Sequence, residues 1–198
     1  HCISSAASDV YKRQKEIDGI ITSFSDLLLE CMVKIADRAG IPCYLKPEQL
    51  PWYRDKSATR ALLTELGLPT PGFRKIPIAY FKDRSKRTQL KELLEGLRYP
   101  VVSKPLDKYG SRGIYISEDL GELINGAEKT AGFSDMPEIL VEEYNDGYEF
   151  NMMTWVRHGK VHVISIADRE KTFVAKGEIP ISTRNVYPSR LLSKVEKP

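Results

Sequence analysis

An α+β fold that opens on an α/β unit is what the sequence predicts, on three observations. A strand-like run, a helix-period run and a second strand-like run follow one another across residues 17–45. Short β-rich runs then alternate with helix-period segments as far as Tyr144. The last part reads as a hairpin, two β-rich runs joined at His158-Gly159. Strand–helix–strand is half of a doubly wound unit, whereas a hairpin makes antiparallel neighbours, so the class is mixed.

Residues 17–22 (Ile-Asp-Gly-Ile-Ile-Thr) have the pattern of a short buried strand. Ser25 or Asp26 then N-caps a helix whose apolar face is Leu28, Cys31, Met32, Ile35, Ala36 and Ala39, with Gly40 as its stop. Residues 41–45 are the next expected strand. A second helix follows Asp55, with Ala58, Ala61, Leu62 and Leu66 on one face and Gly67-Leu68-Pro69 ending it. A basic stretch, residues 82–87, leads into a helix bearing Leu90, Leu93, Leu94 and Leu97. Residues 99–105 form a buried strand that carries a lysine near its end, 106–112 a loop, and 113–116 another strand. A helix with Leu120, Leu123, Ile124 and Ala127 precedes the strand 138–144. The hairpin strands are 150–157 and 161–167, with Met152, Met153 and Trp155 expected in the core and His158 and His162 on the surface.

Composition narrows the function classes. At 198 residues, with 41% hydrophobic and 29% charged residues, the chain is neither disordered nor collagen-like. No apolar run approaches the roughly 18 residues that span a bilayer. Thirty Lys+Arg against 27 Asp+Glu leave +3, too even to make nucleic acid or a membrane surface the expected partner. Cys2, Cys31 and Cys43 form no CxxC and no metal spacing, which points to reduced thiols in a cytoplasmic protein. Residues 1–14 have neither period nor caps and resemble translated adaptor read-through; a floppy terminus gives the same pattern, and either way they are set apart from the fold. Residues 191–198 read as an unfinished amphipathic segment, so the chain is expected to be an internal fragment.

Three places carry chemistry. Lys104 puts a charge near the end of an apolar strand, costly unless an anion lies beside it. Gly110, Ser111 and Gly113 follow in a loop where glycine lets backbone N–H groups approach phosphate oxygens. A lysine snorkelling at a strand end accounts equally well for the pattern. Neither GxxxxGK[ST] nor GxGxxG is present. Glu142 and Glu143 close a second apolar strand and Glu149 opens the next; an inward carboxylate there accepts from an amine or from ribose hydroxyls, although a charged sheet edge explains Glu143 as well. Lys56 stands in the first turn of a helix, against the dipole, unless an anion binds there or the lysine is simply solvated.

In order, Asp55-Lys56, Pro100-Val101-Val102-Ser103-Lys104-Pro105 with its glycine loop, and Val141-Glu142-Glu143-Tyr144-Asn145 with Glu149 resemble the ATP-grasp superfamily. Biotin carboxylase, D-alanine–D-alanine ligase and the carbamoyl phosphate synthetase large subunit belong to it. The resemblance covers about residues 50–169, and the separations of 48 (104 − 56) and 7 (149 − 142) are similar to the family's. It implies an incomplete ATP-grasp domain at 52–198, preceded at 15–51 by the remnant of a Rossmann-like domain. It implies that Lys56 and Lys104 bind the phosphates of ATP and that residues 106–113, with Gly110, Ser111 and Gly113, form the lid loop. Glu142 and the backbone of Glu143 would meet the adenine amine, the N–H at Asn145, next to Tyr144, the ring nitrogen, and Glu149 the ribose. Glu143 and Asn145 stand where members often carry Lys and Leu. Asp107, Lys108 and Tyr109 replace the small residues of the biotin carboxylase loop.

The implied activity is that of an ATP-dependent carboxylate–amine or carboxylate–thiol ligase working through an acyl phosphate, closest to the carbamoyl phosphate synthetase-like and biotin carboxylase-like branch. A nucleotide-binding or regulatory domain without turnover is the alternative. ATP, Mg2+ and a small carboxylate are the implied ligands. The family's magnesium ligands, an acidic residue and a Glu-x-Asn pair, are expected beyond Pro198, since residues 182–198 contain no such pair. No metal ligand and no catalytic residue is therefore assigned within the chain. Asp168, Arg169, Lys171 and Arg184 either face the acceptor side of the cleft or belong to a solvated charged loop.

Overall fold

The computed structural model describes residues 17–22, 25–172 and 179–195. The readings made of residues 1–14 and of the end of segment 191–198 lie outside them.

Helix α1 (Asp26–Ala39) forms where the period places it. Ser25 is extended at the N-cap, and its hydroxyl accepts from the Leu28 N–H at 3.5 Å. Gly40 closes the helix at φ 61°, and the Ile41 N–H reaches back to the Ala36 carbonyl at 3.0 Å, satisfying a last-turn acceptor. The buried stripe is Met32, Val33 and Ala36. Met32 and Val33 pack with Leu45 into a small cluster flanked by Ile20, Leu29, Cys43 and Leu50. The two strands expected beside α1 do not form. Residues 17–22 and 41–45 share one backbone bond, Ile20 N–H to the Pro42 carbonyl at 3.1 Å. Pro42 has no N–H to return, and Ile21 is 81% exposed, so burial does not hold a ladder in register. Cys43 keeps a free thiol, but Cys31 is disulfide-bonded, so the expectation of reduced thiols fails there. Composition bounds the redox compartment; it does not set the distance between sulfurs.

A 3₁₀ turn (Pro47–Gln49) and the short α2 (Leu50–Arg54) lead into α3 (Lys56–Glu65). Four antiparallel strands follow, β1 (Phe73–Pro77), β2 (Val101–Pro105), β3 (Tyr115–Ser117) and β4 (Glu138–Glu143), in the order β1-β4-β2-β3. Helices α4 (Ala79–Lys82), α5 (Arg87–Leu93) and α6 (Leu120–Ala131) bring Phe81, Leu90, Leu123 and Ala127 against Ile76, Val101, Ile139 and Val141. Strand alternation carries the intervening residues Val102, Lys104, Leu140 and Glu142 to the other face. Sequence reading misses β1 because Ile76 is its one fully buried residue.

Asp119 caps α6, accepting from the Glu122 N–H at 2.9 Å. The helix lies close to the sheet: a Cβ on Gly126 would come within 3.3 Å of Tyr115 Cβ and Ser117 Oγ. Thr130 Oγ1 lies 2.9 Å from both Ser103 Oγ and the Gly113 carbonyl, which ties the far end of the 106–113 loop to the core.

The second sheet is β5 (Phe150–Arg157), β6 (Lys160–Lys171) and β7 (Ser182–Val186), in that order. His158 and Gly159 both have positive φ, 51° and 72°, the two-residue turn that matches strand twist. Both histidines are exposed, as expected. The expectation that Met152, Met153 and Trp155 are core residues is wrong. Every residue of β5 is exposed, Trp155 at 59%, because Ile166 and Ala167 are the hydrophobic residues this sheet buries. A last helical turn, α7, spans Leu192–Val195.

Candidate functional site

The site lies on the face of the first sheet opposite α6, where Lys56 and Arg60 of α3 reach the loop after β2 and Glu142 on β4. Asp55 opens α3 by accepting from the backbone N–H and the hydroxyl of Ser57, at 2.8 and 2.6 Å. That cap places Lys56 at the first helical position, with Arg60 one turn further along the same side. The Lys56 ammonium donates to the carbonyls of Leu106 and Lys108, so the helix start is stitched to the loop after β2. Burial lowers the Lys56 pKa, and repulsion from the nearby Lys104 ammonium lowers it further.

Lys104 reaches from β2 to Glu142 on β4. In register Val102 faces Glu142, so Lys104 and Glu142 are diagonal neighbours on one face. Glu142 is 3% exposed. Arg60 grips it with two bonds, Nε to Oε2 at 2.9 Å and Nη2 to Oε1 at 3.3 Å, and Lys104 Nζ donates to Oε1 as well. Burial works to raise the Glu142 pKa, and the Arg60 and Lys104 contacts outweigh it, holding the carboxyl below its usual range. Three cations, Lys56, Arg60 and Lys104, thus gather near the one buried carboxylate of Glu142, and Asp107 on the loop after β2 acts on Lys56 as well. Sequence reading misses Arg60; its spacing of four from Lys56 is the signal that points to it.

The loop itself turns through Gly110 at φ 70° and Ser111 at φ 57°. Gly113, also at φ 70°, is needed for packing, since a Cβ there would lie 2.8 Å from the Phe133 ring. Asp107 is held by Ser134 and Lys108 rather than by the central cations.

Glu143 points to the opposite face. Its carboxylate takes the backbone N–H of Arg98 at 3.0 Å and two guanidinium bonds at 3.2 and 3.0 Å, which bring its pKa down to about 2. Its own N–H is spent on the Gly72 carbonyl, and that of Tyr144 on the Pro100 carbonyl, each at 2.9 Å. Asn145 Oδ1 accepts from the Gly147 N–H at 2.8 Å. Glu143, Tyr144 and Asn145 line a cleft of about 460 Å³ together with Pro69, Pro71 and Arg98. Glu149, at the start of β5, pairs with Arg169 and with Lys171 at 2.5 Å. Arg184 pairs with Glu170 at 2.5 Å, and Asp168 holds Ser189 at 2.5 Å and Arg190 at 3.2 Å. Lys56, Lys104 and Glu142 are thus brought together, whereas Glu143 and Glu149 sit apart from them in ion pairs of their own.

No protein-family model matches the chain. Cyanophycin synthetase of Synechocystis is 34% identical over 117 residues, 58% of this chain and 12% of that protein. The crystal structure of L-amino acid ligase from Bacillus licheniformis superposes with a TM-score of 0.64 at 27% identity, over 83% of this chain and 36% of that one. N5-carboxyaminoimidazole synthetase from Staphylococcus aureus, complexed with ADP, matches in fold with a TM-score of 0.66 at 16% identity, over 99% of this chain and 48% of that one. All three are ATP-grasp ligases. The chain has the ATP-grasp fold. It spans less than half the length of the curated relatives it matches. Among the described residues of this ATP-grasp chain, no group of three or more His, Cys, Asp or Glu is placed to hold a metal ion. No described helix is long and apolar enough to cross a membrane.

Proposed function

We propose that the chain is the nucleotide-binding part of a longer, cytoplasmic ATP-dependent ligase that joins a small carboxylate to an amine or a thiol. The observation that carries this reading is the convergence of Lys56 and Lys104. A half-buried ammonium beside a second one raises the energy of the protein and lowers that of a polyphosphate bound between them. In this reading residues 52–198 are ATP-grasp sequence and 15–51 the remains of a preceding Rossmann-like domain. Gly110, Ser111 and Gly113 shape the lid loop over the phosphates. Glu142, the backbone of Glu143, Tyr144 and Asn145 surround the base, and Glu149 takes the ribose. The carboxylate oxygen of the substrate bonds to the γ-phosphorus and ADP leaves with the bridging electron pair. The amine or thiol then attacks the acyl carbon and phosphate leaves. The lysines contribute positioning and charge neutralisation.

The test is a calorimetric titration of ATP into the chain and two variants. Lys104 lies on a strand with its side chain 19% exposed, whereas Lys108 sits in the loop at 36%. Lys104→Ala should weaken ATP about tenfold to a hundredfold, the worth of a charge-assisted bond, and Lys108→Ala far less. Equal effects overturn the phosphate assignment. In the longer protein, hydroxylamine trapping of an acyl phosphate separates a ligase from a nucleotide-binding domain without turnover.

A further inference from the structure

We infer that Arg60 is a positioning residue for nucleotide binding: by keeping Glu142 paired, it allows Lys104 to leave that carboxylate for a phosphate oxygen. The inference rests on the nucleotide reading above.

Lys104 cannot serve a phosphate for nothing. Its ammonium is committed to Glu142 Oε1, and Glu142 is 3% exposed, beyond the reach of bulk water. Drawing Lys104 away strands a buried carboxylate unless another cation holds it, and an unpaired buried charge is among the most destabilising features a protein can carry. Arg60 meets the need. It bonds both oxygens of Glu142, Nε to Oε2 at 2.9 Å and Nη2 to Oε1 at 3.3 Å, so the contact survives the loss of Lys104. The flat guanidinium fork suits a carboxylate better than a second ammonium would. Arg60 also shares a helix face with Lys56, so one element supplies a phosphate-side cation and the counter-ion that makes the other cation available.

Among the described residues, the groups facing Glu142 are few. Arg60 comes from α3 and Lys104 from β2; its cross-strand neighbours Phe73 on β1 and Val102 on β2 carry no charge. Lys56 and Lys104 repel one another. Without Arg60, a base amine can donate to Glu142 but carries no charge, so neutralising the carboxylate when Lys104 departs takes a proton. Nucleotide binding would then take up a proton that the wild type does not need.

The experiment titrates ATP into the wild type, Arg60→Met, Arg60→Lys and Arg60→Met/Glu142→Gln. Each titration is run calorimetrically near pH 7 in two buffers of different ionisation enthalpy, which counts protons. Arg60→Met should bind at least about tenfold more weakly and take up about one proton more per ATP than the wild type. The affinity gap should narrow as the pH is lowered. Arg60→Lys should restore most of the affinity and cancel the extra proton. The double variant should lose the extra proton because the carboxylate is gone. Should Arg60→Met not fold by circular dichroism, Arg60→Gln is read in the same way. Wild-type affinity in the variant, or weaker binding with no extra proton and no pH dependence, overturns the inference. A wild type that does not bind ATP overturns the nucleotide reading instead, and the inference with it.

Discussion

Gly113→Ala separates two physical terms that meet at the end of the 106–113 loop. The residue has φ 70°, a left-handed backbone that costs an L-residue about 1–2 kcal/mol. Its new Cβ would also lie 2.8 Å from Cγ and Cδ2 of Phe133 and 2.9 Å from its Cβ, the root of that side chain rather than a flexible tip. Overpacking of this kind costs about 1–3 kcal/mol, so the substitution should destabilise by about 2–5 kcal/mol. Gly110 has the same φ of 70° with nothing within 4 Å of its would-be Cβ, so Gly110→Ala should lose the backbone term alone. Adding Phe133→Ala to Gly113→Ala should recover the steric part and leave the backbone part, a coupling of about 1–3 kcal/mol. Urea unfolding read at constant m-value measures the wild type and all four variants, with Phe133→Ala alone included to close the cycle. Equal losses for Gly113→Ala and Gly110→Ala, or no recovery in the double variant, would refute the reasoning. The outcome bears on function, because it says whether the loop has a rigid heel at Gly113 and an open tip at Gly110.

Glu142→Gln should narrow a preference for ATP over GTP, since a rotated amide can donate to the guanine carbonyl, whereas Glu149→Gln should weaken both nucleotides alike; parallel titrations decide, and the reverse pattern means base and ribose are misplaced. Glu143, with its pKa brought to about 2 by Arg98, contributes stability that is full above the ordinary carboxylate range near 4.5 and is lost as pH falls through about 2. Glu143→Gln should remove that acid-side dependence at a cost of about 0.2–1 kcal/mol at neutral pH, the range of exposed ion pairs, as acid titrations of unfolding will show. Asp119→Ala strips the cap from α6 and should cost about 1 kcal/mol, visible as a lowered Tm.

The parts of this protein that the sequence determined by itself are those set within a few residues. Ser25, Asp55 and Asp119 cap helices because a short oxygen-bearing side chain reaches the N–H two or three residues on, and Gly40 ends one because it alone tolerates the left-handed turn at no cost. Strands β2 and β4 were legible as apolar runs, and Lys104 and Glu142 stood out because a charge in such a run demands a partner. Their partnership was not legible. Arg60 and Glu142 are 82 positions apart, Arg98 and Glu143 45, and neither pair leaves a local trace.

Tertiary structure alone decided which of the adjacent acids meets the cations. Strand parity requires Glu142 and Glu143 to face opposite sides, but the side that α3 covers depends on β4 being zipped between β1 and β2 in one register. A slip of one residue would hand Arg60 and Lys104 the wrong carboxylate. The same dependence hid β1 and β7, and it left Trp155 exposed on a strand whose pattern promised a core, because burial is conferred by what packs against a residue.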